Sequence, residues 1–250
     1  MDKVPPSVEP EAPLVEEAAS PVEQSSPSVS PASPWRFVPL LYFLQGLPVI
    51  AVQNVSATLF TKMGLETGAI TVWSNLLKLP WTLKPFWGPL VDLNWTKRRW
   101  VVLMQALIFV FLFAAAISMT SANWFTLLLI SFGVVAFLSA THDIAADGFY
   151  LLALDERRQA FFVGIRSAAF RLAFIFCTGG LVYLAGEVED RTGDIARSWM
   201  VALGFGALIY GLGALVNAFA MPRPVLDRLP GARDPQENRL NLLRTAAVIL

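Results

Sequence analysis

Between residues 35 and 220 the chain is a series of long apolar runs separated by short polar breaks. A helix rises about 1.5 Å per residue, so about twenty apolar residues cross the ~30 Å hydrocarbon core of a bilayer. Six runs meet that length, over about 37–60, 70–91, 100–119, 124–152, 161–184 and 199–220. They predict an all-α membrane protein with a six-helix transmembrane bundle over 35–220. The flanks differ. Residues 1–34 hold eight prolines and seven charged residues, a composition that cannot bury enough apolar area to offset its ordering entropy, and predict a disordered tail. Residues 221–244 are polar and proline-containing and read as a linker. A new apolar run opens at 245–250, where a seventh helix is expected to start.

Composition supports this reading. Hydrophobic residues make up 55% and charged residues 15%, against about 25% charged in soluble domains. A formal net charge of zero without a broad basic patch argues against nucleic acid as a partner. One cysteine, Cys177, and one histidine, His142, leave no disulfide framework and no Cys/His metal cluster within one chain. Neither a dinucleotide-binding nor a nucleotide P-loop glycine pattern is present, so no cofactor is expected. The first residues lack the basic and apolar regions of a secretory signal.

Loop charge sets the expected orientation. Lys97, Arg98, Arg99, Arg157, Arg158, Arg223, Arg228, Arg233, Arg239 and Arg244 fall on one side, and Lys62, Arg191 and Arg197 on the other. Ten against three puts the first set, the N-terminus and the segment after 220 in the cytoplasm, in a multi-pass protein of the cell membrane (the inner membrane of a bacterium). Trp35, Trp95, Trp100, Trp124 and Trp199 sit at the expected interfaces as anchors.

Charges inside apolar spans are costly, about 2.5–3.5 kcal/mol each on insertion scales, and mark function or tight pairing. The second span holds Lys78 and Lys84, the fourth His142, Asp143 and Asp147, and the fifth Arg166 and Arg171. Counted from the span ends, Lys84, Asp143, Asp147 and Arg166 fall in one layer, about 8–14 Å inside the cytoplasmic boundary. Asp143 and Asp147 share a helix face with Tyr150 one turn on. Two carboxylates so close repel unless a cation intervenes, and Lys84 or Arg166 is placed to be that cation. Four cations against two carboxylates leave +2, which an anionic solute or acids on further helices would balance. Two readings stand side by side: an ion-pair network that fixes helix packing, and a site for proton coupling or solute. His142 reads first as a polar packing residue and second as a proton relay.

Two sequence patterns sharpen the picture. Gly88-Pro-Leu-Val-Asp92 followed by Lys97-Arg98-Arg99 resembles the cytoplasmic signature loop of the major facilitator superfamily, between its second and third helices. Here Gly88 is expected to allow close helix approach and Asp92 to cap a helix or bind an arginine, locking one conformation. Gly46-Leu47-Pro48, the stretch from Leu79 to Asp92, and Asp143-Ile144-Ala145-Ala146-Asp147-Gly148 together resemble the AmpG-like muropeptide permeases and the related acetyl-CoA transporters. The resemblance covers about 36–220 and implies the N-terminal six helices of a longer transporter. It implies proton-coupled, alternating-access transport of a polar, anionic solute such as a muropeptide. Asp143 or Asp147 would sense the proton, and Lys84, Arg166 and Arg171 would supply countercharge. The second half of the path would come from six further helices or a second copy. The rival reading is a membrane scaffold that does not transport. A membrane enzyme is disfavoured, because no Ser/His/Asp set lies at a membrane face.

Overall fold

The structure is a computed structural model that describes residues 33–224 and Asp227. Most of the predicted disordered tail, most of the predicted linker and the start of a seventh helix lie outside the described residues. The described residues form helices throughout, joined by short turns. We label them α1 (Pro34–Lys62), α2 (Thr67–Thr82), α3 (Lys84–Leu93), α4 (Lys97–Ser118), α5 (Trp124–Ala153), α6 (Glu156–Thr192) and α7 (Ile195–Ala220). Five of these, α1 and α4 to α7, are long and apolar enough to cross a membrane.

The polar breaks work as helix boundaries. Thr96, Asp155 and Asp194 each accept a backbone N–H three residues on, from Arg99 (3.3 Å), Arg158 (2.8 Å) and Arg197 (3.0 Å). Each thereby starts α4, α6 or α7 by satisfying an orphan donor. Gly193 ends α6 in the left-handed conformation at φ +67°, which favours glycine.

The second predicted span departs from expectation. It is not one rod but two helices that break at Leu83. Pro85 has no N–H to give the carbonyl of Trp81 and its ring crowds that turn, so the chain restarts with proline in the first turn of α3. Two crossings contain a wide turn: α1 at Ala51–Val55, just after Pro48, and α6 at Phe176–Leu181. The two wide turns touch, and the Cys177 thiol donates to the Leu47 carbonyl at 3.7 Å.

α4 packs between α5 and α7, and α7 also holds the second half of α6. α1 packs along α6 and reaches α5 and α7. In α1 67% of the most apolar stretch is buried, in α6 only 28%, so α1 is central and α6 a flank. α2 and α3 lean mainly on α5 and bury only Ser74, Leu77 and Val91. At Gly46 α1 and α6 approach closely: a Cβ there would come within 2.8 Å of the Ala173 Cβ. Two expectations need correction. Trp199 is not an interface anchor, for it is 1% exposed and lies in the core. Gly88 does not serve close approach, since a Cβ there would meet nothing within 4 Å.

Candidate functional site: a charged cluster where α1, α3, α5 and α6 converge

α5 supplies two carboxylates one turn apart, Asp143 and Asp147. The helices on either side answer each with its own cation. The break at Leu83 sets Lys84 at the first residue of α3, and its ammonium pairs with Asp143. A lysine at a helix N-terminus meets the unfavourable end of the helix dipole, and the Asp143 carboxylate offsets that. On the other flank, Arg166 of α6 donates from Nη2 to Asp147 Oδ1 at 2.6 Å. The Tyr42 hydroxyl of α1 donates to the same oxygen at 3.0 Å. The Arg166 guanidinium lies 4.2 Å from the Tyr42 ring centre and 4.5 Å from that of Tyr150. Each such cation–π contact contributes about 0.5–2 kcal/mol, depending on desolvation. The Tyr150 hydroxyl donates to the Gln159 carbonyl at 2.5 Å, which fixes its ring.

The four charges expected in one layer therefore form two ion pairs, and the repulsion between the carboxylates is met pair by pair. The pairs are not equivalent. Side-chain exposure is 16% for Asp143 and 49% for Asp147, so Asp147 is the carboxylate that outside groups reach. Lys78 and Arg171 are exposed and take part in none of the ion pairs among the described residues. The excess positive charge read from the sequence thus belongs to these two side chains. Tyr42 was not singled out by sequence reasoning. The available signal was a hydroxyl inside an apolar span, one turn before Gly46.

His142 lies elsewhere. It is fully buried, with Nε2 3.1 Å from the Gln105 side-chain nitrogen of α4. Gln105 Oε1 in turn accepts from Asn217 of α7 at 3.2 Å. This polar chain stitches α4, α5 and α7 together and contacts neither ion pair.

The signature loop also takes form. Asp92 pairs with Lys97, whose ammonium also donates to the Val91 carbonyl at 3.2 Å. The Lys97 stem covers Gly148, where a Cβ would come within 3.0 Å of Lys97 Cε, so the loop rests directly on the Asp147-Gly148 turn of α5. Arg98 turns the other way and donates to the Ala218 carbonyl (2.6 Å) and the Met221 carbonyl (3.3 Å), the orphan acceptors at the end of α7. Asp227 accepts the backbone N–H groups of Lys97 (2.6 Å) and Arg98 (3.0 Å), capping α4. Arg99 is exposed. Among the described residues no group of three or more His, Cys, Asp or Glu side chains is placed to hold a metal.

Comparison with known proteins gives relatives that fit this architecture. No family model matches the chain. It is 28% identical over 184 residues to "Putative transporter AmpG 4" of Rickettsia conorii, covering 68% of this chain and 41% of that protein. It is 25% identical over 189 residues to "Putative transporter AmpG 4" of Rickettsia felis, covering 70% and 42%. An uncharacterised protein of Haemophilus influenzae is 24% identical over 190 residues, covering 74% and 42%. The chain thus spans less than half the length of the curated relatives it matches. The chain is thus similar to proteins named putative AmpG transporters, and it carries five apolar helices long enough to cross a bilayer, as a multi-pass membrane protein does.

Proposed function

We propose that the chain is the N-terminal six-helix half of a major facilitator transporter that takes up a polar, anionic solute together with protons. The carrying observation is the pairing of Asp147 with Arg166 and of Asp143 with Lys84 on one face. The broken pair α2–α3 counts as the sixth crossing. The second half of the path comes from further helices or a second copy, and the two halves rock about the site in alternating access.

Asp147, the more exposed carboxylate, takes the proton. Neutral Asp147 no longer neutralises Arg166, which then presents its positive face to an anionic group of the solute. Release of the solute lets Arg166 return to Asp147 and drives the proton off. The solute anion and the Asp147 carboxylate thus compete for the same arginine, so protonation of Asp147 favours solute binding, the requirement for moving the two together. The similarity to proteins named AmpG and the sequence resemblance favour a muropeptide as solute. The charge excess on the ten-residue side favours an N-terminus and a signature loop in the cytoplasm, in the inner membrane of a bacterium.

The test is uptake by proteoliposomes holding the intact transporter, measured against pH. Asp147→Asn is expected to flatten the pH dependence and to reduce uptake at least tenfold. Unchanged pH dependence in both Asp147→Asn and Asp143→Asn would refute the coupling role and leave the pairs as packing elements.

A further inference from the structure

Away from the charged cluster, α4 and α7 enclose an apolar groove of about 390 Å³ on the outer surface of the bundle. Val102, Ala106 and Phe109 form one wall, and Leu208, Leu212 and Leu215 form part of the other. Leu208, Leu212 and Leu215 are half or more exposed, although each is a large apolar side chain. From Leu208 to Ala218 the groove runs about 15 Å along α7, long and narrow rather than compact. Small residues make it: Ala106, Gly211, Ala214 and Ala218 all lie in its lining.

Its end is charged. Ala218 lines the groove, and its carbonyl accepts from Arg98 at 2.6 Å, so a guanidinium sits at the mouth. Arg99 and Arg223 are exposed beside it, the former adjacent in α4 and the latter two residues beyond the Met221 carbonyl that Arg98 also holds. Of the described acids at this end, Asp92 pairs with Lys97, and Asp227 is engaged by two backbone N–H groups. Three arginines and Lys97 against two carboxylates leave +2. The same turn carries Trp95, 49% exposed, its ring centre 5.3 Å from that of Trp100, an aromatic pair of the kind found at a headgroup level.

We propose that this groove binds one anionic phospholipid from the leaflet on the signature-loop side, with an acyl chain along α4 and α7 and the headgroup phosphate at Arg99 and Arg223. The apolar walls match a hydrocarbon chain, and the positive mouth selects a headgroup of net negative charge over a zwitterionic one. Each arginine near an anionic headgroup strengthens binding about fivefold. Because Arg98 and Asp227 at the mouth also tie α4 to the end of α7, the bound lipid would brace the two helices against each other. This site stands independently of the transport reading.

Native mass spectrometry of the purified 250-residue chain, after delipidation and addition of phosphatidylglycerol or phosphatidylcholine, tests it. One phosphatidylglycerol should be retained per chain, at least fivefold more tightly than phosphatidylcholine. Arg99→Gln with Arg223→Gln should abolish that preference while keeping the melting temperature. Ala106→Trp, which fills the groove, should remove the retained lipid of either kind. Equal retention of the two lipids by the wild-type chain would overturn the proposal. So would a preference that survives both variants, which would mean that the groove is covered by something else and that the lipid binds elsewhere. If Ala106→Trp fails to fold, Ala214→Leu fills the groove more mildly from the α7 wall and carries the same two outcomes.

Discussion

Asp147 carries the account at the scale of single residues. It accepts from Tyr42 and Arg166 at once and remains half exposed, so it is both held and reachable. Tyr42→Phe removes one hydrogen bond, an expected loss of about 1 kcal/mol in stability. It should also lower uptake, because Asp147 loses a donor that holds it in place. A thermal melt and an uptake assay on the same variant check both. His142 supplies the contrast. His142→Ala leaves Gln105 and a small void unpartnered in the core, with an expected cost of about 2–4 kcal/mol. The pH dependence of uptake should nonetheless survive, since His142 touches neither ion pair. Loss of pH dependence in His142→Ala would move the proton site into the core. The sequence already displayed both aspartates and their one-turn spacing. It did not display which cation faces which carboxylate, because that pairing depends on α3 and α6 flanking α5 in space. It did set His142 apart from the four-charge layer, first as a packing residue, and adjacent residues on a helix point about 100° apart.

At the scale of elements, turn chemistry was the legible part. Thr96, Asp155 and Asp194 cap helices that start three to five residues before the predicted spans, and five of the six spans exist as helices, the fifth running eight residues past its expected end. The break in the second was under-read. Pro85 was visible, but whether a proline bends or severs a helix depends on what supports the freed carbonyl, and α2 and α3 have few supports. Glycines divide the same way. Gly46 meets Ala173, so Gly46→Val should cost about 1–3 kcal/mol and lower the melting temperature in detergent. Gly88 faces open space, so Gly88→Ala should be neutral or slightly stabilising through helix propensity. A large loss of stability from Gly88→Ala would contradict the open surroundings of Gly88.

For the whole molecule, the helices form a bundle with one charged, partly open face and large apolar outer surfaces. Lys62 pairs with Glu189 at 3.1 Å at one end, tying α1 to α6. Arg98, Lys97 and Asp227 tie α4 to the segment after α7 at the other. The ten-to-three charge bias predicts that a cysteine replacing Asn94 is labelled from the cytoplasm and one replacing Gly64 from the outside, in a Cys177→Ala background. Labelling in the reverse sense would invert the orientation and with it the direction of the proton gradient at Asp147. Apolar period and loop charge made this large-scale plan readable, because a bilayer imposes length and sidedness on any crossing. Pairing of helices was not readable, because α4 contacts α7 across a hundred residues with no local signal.

The most direct measurement follows protons rather than solute. Proteoliposomes holding the intact transporter and a pH-sensitive dye in the lumen receive a muropeptide from outside, without an imposed gradient. Wild-type protein is predicted to acidify the lumen as the solute enters, and Asp147→Asn to take up solute poorly and without acidification. Solute entry with no proton movement in the wild type would contradict the central claim, and the Asp147–Arg166 pair would then be a fixed strut between α5 and α6.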